Sequence, residues 1–238
     1  MSARTAFWGI VFVIAISLTA EAQTRRKTIT PGQRAIVVDE RLSALRAQPD
    51  IKASLVQRLR RGRVVGILSA RKSKDGESFL RVSVTRNTRG WVLAEAVVKA
   101  GNAAEAERLL NLIEDSDDDF VKARLARLCA NEFRATVAAP RCLLKLGETA
   151  ERVADRLTRD AKRRIGNEEP SVGLSKRDYF LNFVGLDRYN RIGVLFEFDA
   201  SADRIVYDGE AYRELIRRYP KSNDAGVARK KLEVPASR

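Results

Sequence analysis

The 238 residues are 45% hydrophobic and 32% charged but only 7% aromatic. That balance supports a buried core in one or two domains and excludes low-complexity, collagen-like and heptad-repeat chains. Histidine is absent, which removes Ser–His and Cys–His nucleophile systems, histidine zinc sites and imidazole bases. The formal charge of +14 predicts attraction to polyanions, a statement about partners and not about fold.

Residues Met1 to Ala22 read as a secretory signal. Arg4 supplies the positive start, Ala6 to Leu18 the apolar centre, and Ala20-Glu21-Ala22 a small-x-small exit, so cleavage is expected before Gln23. A membrane anchor is the alternative, but the apolar run is far short of the roughly 20 residues a spanning helix needs. Without a cysteine after that run, lipidation has no support, and no other stretch is apolar and long enough to span a bilayer. The expected compartment is periplasmic or extracellular. Residues 23–32 then form a basic linker containing Arg25, Arg26 and Lys27.

From Gln33 to Val98 the pattern is of short β-type runs separated by turn residues. The runs are Ala35–Val38, Leu42–Leu45, Arg63–Leu68, Phe79–Val84 and Gly90–Leu93. Apolar and polar residues alternate through Phe79-Leu80-Arg81-Val82-Ser83-Val84, as a half-buried strand requires. Lys74-Asp75-Gly76-Glu77 is a turn, because Asp-Gly tolerates the positive φ of tight hairpins. This spells a small all-β unit.

The series Leu45-Arg46, Pro49, Val56-Gln57-Arg58-Leu59, Arg61-Gly62, Val64-Val65-Gly66-Ile67, Phe79-Leu80-Arg81-Val82 and Arg89-Gly90-Trp91-Val92 resembles a bacterial SH3-like (SH3b) domain of the cell-envelope type. The closing Gly-Trp-Val strand is its most specific piece. The resemblance covers a quarter to a third of the chain and implies a small barrel that binds cell-wall glycan or peptide. Two departures stand out: Phe79 occupies a position where the family often has tryptophan, and Lys72 to Ser78 makes a longer polar turn. Trp91 either packs the barrel wall or offers a stacking surface, and Phe79 joins it as a candidate binding residue.

Beyond Val98 the period becomes helical. Asn102-Ala-Ala-Glu105 and Ser116-Asp-Asp-Asp119 each place a capping side chain three residues before a carboxylate. Phe120, Leu125, Leu128, Cys129 and Phe133 recur at helical spacing. Pro140 can open a further helix carrying Leu143, Leu146, Val153 and Leu157 as far as Gly166, with a loop over Gly166 to Arg177. Superposing Phe133 on Tyr219 also places Cys129 on Leu215, Ala139 on Ala225, Cys142 on Ala228 and Leu146 on Leu232. The second copy, from Ala211 through Tyr219-Pro-Lys-Ser222 to Leu232, is similar to the junction between tetratricopeptide-type repeats; in the first, Arg134 replaces the turn proline. Residues 99–238 therefore read as a degenerate helical-repeat domain whose two copies lie too far apart in sequence to be adjacent units.

Between the copies, about 178–207, lies an aromatic β insert. It carries Tyr179, Phe180, Phe183, Leu186 and Tyr189, followed by Ile192–Phe198 and Arg204–Tyr207 flanking Asp199–Asp203 as a hairpin. Its rings either fill a satellite core or line a groove for a peptide or glycan.

The positive charge is uneven. Gln23 to Val98 has 17 Lys/Arg against six Asp/Glu, while Lys99 to Arg238 has 27 against 24. Arg58, Arg60, Arg61 and Arg63 either meet a polyanionic surface or form a solvated face. Nucleic acid is disfavoured, since aromatic residues are scarce there and the signal directs the chain outward. Asp115/Asp117/Asp119 and Asp199/Ser201/Asp203/Glu210 imitate calcium loops, but Phe120 and Arg204 stand where glycine is required, so no metal is expected. Ser69-x-x-Lys72 leaves a β run, which the helical chemistry of that motif does not allow. Asp208 and Glu210 are carboxylates that need no histidine for work on glycans, though surface charge is their simpler reading. Cys129 and Cys142, placed similarly about the Phe133–Pro140 turn, either form a disulfide in an oxidising space or pack as buried thiols.

The reading is an α+β protein: a basic SH3-like β-barrel, then a tetratricopeptide-like helical domain with a β-hairpin insert. It is a non-catalytic envelope protein without a cofactor. The barrel binds cell wall or another anionic envelope surface, and the helices dock a protein. An envelope glycan hydrolase with carboxylates in the insert and a nonspecific polyanion binder are the rivals.

Overall fold

The computed structural model describes residues 34–167, 175–181 and 185–233. The proposed signal and basic linker lie outside them, as do Phe183 and most of the expected Gly166–Arg177 loop. The chain is α+β. Seven antiparallel strands form one sheet: β1 (Arg34–Val37), β2 (Ala44–Arg46), β3 (Leu55–Arg58), β4 (Val64–Lys72), β5 (Ser78–Ser83), β6 (Arg89–Leu93) and β7 (Val97–Lys99), in the order β3-β2-β6-β5-β4-β1-β7. A short 3₁₀ turn, Ala94–Ala96, joins β6 to β7. The β4–β5 turn falls where Asp75-Gly76 puts it, with Gly76 at φ +87° and Ser73 N–H bonded to Glu77 C=O at 2.8 Å.

The sheet is open, which corrects the expected barrel. No ladder joins its two edges, β3 and β7. Instead, helix α1 (Ala103–Glu114) packs on β7, and Arg108 donates to the outward carbonyl of Val97 at 3.1 Å and to that of Glu95. A helix and a guanidinium thus satisfy the edge that barrel closure would have used. Strands β3 and β7 carry little alternation over three or four residues, which is why neither stood out as a run in the sequence.

Alternation along β1 feeds two cores. Ala35 and Val37 join Leu45, Val65, Leu80, Val82 and Val92 inside the sheet. Ile36 and Val38, with Val98 of β7, belong to the core of the helices. The sheet and helices therefore share an interior across residue 98, and a fragment cut there would expose all three side chains. Arg34–Glu132 (2.9 Å) and Arg124 Nη2 to Gly62 C=O (3.2 Å) close the same seam.

Helix α1 starts on Asn102, whose Oδ1 accepts from Ala104 N–H at 2.9 Å. Helix α2 (Asp119–Glu132) is capped by Asp118 rather than Ser116, with Oδ1 accepting from Phe120 and Val121 N–H at 2.8 and 3.0 Å. The 30-residue α3 (Ala138–Asn167) begins two residues before Pro140, which sits in the first turn where its missing N–H costs nothing. Helices α4 (Lys176–Leu181) and α5 (Leu186–Asn190) make the first half of the insert helical, not β; the hairpin β8 (Phe196–Asp199) and β9 (Arg204–Tyr207) follows. Helices α6 (Glu210–Arg218) and α7 (Asn223–Glu233) end the described chain.

The two segments superposed in the sequence make the same hydrogen bonds at their turns. In the α2–α3 turn, Phe133 N–H bonds Cys129 C=O, Thr136 N–H bonds Phe133 C=O, and Thr136 Oγ1 donates to Phe133 C=O. In the α6–α7 turn, Tyr219, Leu215 and Ser222 make the same set. The paired positions Cys129/Leu215, Ala139/Ala225 and Cys142/Ala228 are all buried; the last pair diverges, with Leu146 buried and Leu232 39% exposed. Separation in sequence suggested that the copies are not neighbours, yet α3 packs on α6. Tyr219 Oη donates to Arg134 C=O at 2.8 Å, and a Cβ on Gly147 would lie 2.3 Å from the ring of Tyr212. Only glycine allows α6 that approach. The insert loops out between the copies and lets them meet.

Candidate functional site: a tryptophan–arginine groove on the sheet

In β6, Gly90 and Val92 are buried while Arg89 is exposed and Trp91 half-buried. Val92 points into the sheet core, so Trp91 faces the other side. Strand register then assembles a row around it: Arg46 of β2 and Arg81 of β5 lie directly opposite Trp91 on either side, and Ser69 of β4 lies opposite Arg81. The next row places Arg71 beside Phe79. The hairpin turn sets this register, and a β-bulge between Ile67 and Ser69 separates it from the Gly66–Ile67 half of β4.

These residues line an open groove of about 420 Å³, bounded by Trp91, Arg81, Arg71, Ser69 and Ala70 with Ala47 and Gln48 of the β2–β3 loop. Among the described residues its lining holds two guanidinium groups and no carboxylate. Arg46 is turned aside, donating from Nη1 to Ala53 C=O at 2.8 Å. An indole face next to guanidinium forks suits a ligand with a planar or sugar face and a carboxylate or phosphate, since arginine can bind such anions through two parallel hydrogen bonds.

Of the residues singled out in the sequence, Trp91 is in this groove. Phe79 is not available as a binding ring: it is 1% exposed, on a strand against which the Ala94–Ala96 turn packs. Arg58, Arg60, Arg61 and Arg63 gather at the β3–β4 turn, away from the groove. Arg61 N–H is bonded to Glu40 Oε1 at 2.8 Å and Arg63 Nη2 to Val84 C=O at 3.1 Å, while Arg58 and Arg60 are exposed. Arg71 and Arg81 were missed. The Asp-Gly turn fixes Lys72 opposite Ser78, and counting back pairs Arg71 with Phe79 and Ser69 with Arg81, which lies opposite Trp91; the bulge comes only beyond Ser69, so both arginines follow from the turn and the β5–β6 register.

The remaining motifs have structural work. Ser69 and Lys72, three apart on a strand, point to opposite faces. Asp119 pairs with Arg152 and Arg156 across α3. Asp199 Oδ1 accepts from Ser201 N–H, Ser201 Oγ and Ala202 N–H, and these bonds hold its carboxyl below the usual range. Asp203 meets Lys176. No group of three potential metal ligands occurs among the described residues. Burial pushes the Asp208 carboxyl up against the opposing Glu210 N–H bond and Arg213. Arg213 also holds Glu210 at 2.9 Å. Cys129 and Cys142 are bonded, tying the last turn of α2 to the first of α3, with both residues fully buried.

Among the described insert aromatics, Phe180 and Tyr189 are core, while Tyr207 also lines a groove. Phe120–Tyr189, Tyr189–Phe196, Phe196–Tyr207 and Tyr207–Tyr212 form a chain of edge-on contacts with centroids 5.3–6.3 Å apart, and Phe180 packs on Phe198 at 4.8 Å. Phe180, Tyr189 and Tyr212 are at most 2% exposed. Beside them a second groove, about 660 Å³, runs between α3, β9 and α7, with Val227 and Leu232 on its rim and Glu151, Asp155, Arg204 and Lys230 along it. Among the described residues, no helix is long and apolar enough to cross a membrane. Comparison of the chain with protein-family models, with curated proteins and with solved structures finds no match.

Proposed function

We propose that this is a non-catalytic protein of the bacterial cell envelope, exported by its N-terminal signal. In this reading its SH3-like sheet binds an anionic cell-wall glycan or peptide at the Trp91 groove, and its tetratricopeptide-like helices dock a protein. The observation that carries it is the groove itself: a half-exposed indole flanked by Arg71 and Arg81, with no carboxylate among the described residues of the lining. The excess of 17 basic over six acidic residues in the surrounding segment adds long-range attraction. The groove between α3, β9 and α7, with exposed Val227 and Leu232, supports the helical side as the protein-docking surface. The hydrolase alternative has less behind it, because Asp208 and Glu210 are both engaged by Arg213.

Sedimentation of the chain starting at Gln23 with purified sacculi tests the reading. Arg71→Glu combined with Arg81→Glu is expected to weaken binding about tenfold or more, since each lost charge-assisted contact is worth about 1.5–3 kcal/mol. Raising salt to 1 M shortens the Debye length to about 3 Å and removes the steering of exposed charges, yet a stacked ligand stays partly bound. Binding indifferent to the double reversal contradicts the groove, and binding wholly abolished by salt favours the nonspecific polyanion binder.

A further inference from the structure

Strand β3 is a free edge of the sheet, and its side chains make it an uncommon one. Natural edges are blunted by short strands, charge, proline, bulges or a covering element, and β3 uses three of these: it has four residues, its register with β2 shifts between Leu45 and Arg46, and it ends on Arg58; what remains unusual is its exposed aliphatic surface. Here Leu55 and Val56 are 51% and 47% exposed on the strand, and Ile51 is 46% exposed in the turn before it. Among the described residues, no strand pairs with the outer side of this edge. Ala47 N–H bonds Ser54 C=O at 3.0 Å and Leu59 N–H bonds Ser43 C=O at 3.1 Å, so Ser54 and Leu59 face β2. With Leu45 opposite Gln57 and Arg46 opposite Leu55, the register turns the N–H and C=O of Leu55 and Arg58 outward, on the side away from β2. The opposite edge, by contrast, is capped by α1 and Arg108.

Charge narrows the occupant. Lys52, Arg58 and Arg60 flank the exposed aliphatic pair and Asp50 is the single acid of the β2–β3 turn, its Oδ1 accepting from Lys52 N–H at 2.7 Å. A second copy pairing antiparallel through the same strand would bring these cations against one another, and like charges on facing strands repel. We propose that β3 takes up an extended acidic segment of a partner protein as an eighth strand. Outward N–H and C=O groups of Leu55 and Arg58 would form the ladder, Leu55 and Val56 would meet aliphatic side chains, and Arg58, Arg60 and Lys52 would meet carboxylates. This surface is separate from the Trp91 groove, which lies on the face of the sheet, and it gives the arginine cluster a partner of its own.

The test uses the whole chain from Gln23 and an acetylated, amidated octapeptide of alternating valine and glutamate as probe. Fluorescence anisotropy with a dye on the peptide gives affinity, and amide chemical shifts give location. Expected are shifts centred on Leu55 to Arg58. N-methylation of alternate peptide bonds, which blocks the pairing edge, should weaken binding about tenfold, and replacing the glutamates by lysines should weaken it at least as much. Leu55→Pro removes an outward N–H without touching the β2 ladder, a position where an edge strand tolerates proline, and should lose the peptide. If that variant unfolds, the N-methylated peptide decides alone. Equal affinity of the N-methylated peptide overturns the proposal. So do shifts confined to Trp91, Arg71 and Arg81, absence of binding, or sedimentation of the free chain as a dimer that Val56→Glu dissociates. Loss of sacculus binding leaves this result untouched, so the two readings fail separately.

Discussion

Glu214→Ala is expected to cost about 3–5 kcal/mol and to lower the melting temperature by about 10 °C. Glu214 lies on α6 and holds two arginines. Arg127 Nη1 donates to its Oε2 at 2.6 Å and Arg218 to its Oε1. Arg127 in turn bonds the carbonyls of Ile192 and Gly193 at 3.0 and 3.1 Å, and Arg218 bonds that of Ala130 at 3.3 Å. One carboxylate thus ties α2, α6 and the entrance to β8, with the Arg127 and Glu214 side chains each 15% exposed. Deleting it leaves two guanidinium groups close together and poorly hydrated, a cost much greater than the net worth of the pair.

The same group supplies a pH dependence with a definite sign. Burial alone would raise the Glu214 carboxyl, but hydrogen bonds from Arg127 and Arg218 outweigh it and hold the group below its ordinary value. Its contribution is therefore fully present above the unfolded value, near 4.3, and is lost as pH falls through the lower folded value. Chemical denaturation of wild type and Glu214→Gln should differ most near neutrality and converge in acid. A gap that widens below pH 4 contradicts the assignment.

Removing the disulfide, by Cys129→Ala with Cys142→Ala or by reduction, should cost about 3 kcal/mol in the chain-entropy account of a loop with a sequence separation of 13. Both residues are fully buried in the helical core, so the alanine pair also sheds two sulfur atoms from a packed interior. Comparing reduced wild type with the double variant separates cross-link from packing: the two should agree to within about 1 kcal/mol if the constraint on the unfolded chain dominates. A double variant as stable as the oxidised protein would mean that the bridge does little. In either outcome the α2–α3 turn should persist, because its hydrogen bonds are repeated without a disulfide at Tyr219 to Ala225.

What the sequence made legible follows period and punctuation. Alternation around Phe79–Val84 and the Asp75-Gly76 turn reappear within two residues, and the hairpin about Asp199–Asp203 forms with a first strand that begins at Phe196, four residues later than Ile192. The turns at Phe133 and Tyr219 share a hydrogen-bond pattern, because helix-turn geometry is written locally. Features that depend on distant partners were not legible. The barrel did not close, because α1 and Arg108 take the β7 edge. The two repeat copies became neighbours because Gly147 admits Tyr212. Phe180 and Tyr189 turned inward, and Tyr189 meets Phe120 of α2 at 5.3 Å. At the groove, Trp91 was visible as the aromatic of a Gly-Trp-Val strand. Its partners Arg71 and Arg81 required the pairing of β5 with both β4 and β6, and Phe79 seemed available only because burial on the outer face cannot be read from alternation.

The most direct measurement on the groove uses the chain's own fluorescence. In the protein beginning at Gln23, Trp91 is the sole tryptophan, the other being Trp8. Titration with soluble peptidoglycan fragments should give a saturable change in Trp91 emission that disappears in the Arg71→Glu, Arg81→Glu variant, with unfolding still cooperative. Sacculus binding that proceeds with no change in Trp91 emission would place the ligand elsewhere and contradict the account.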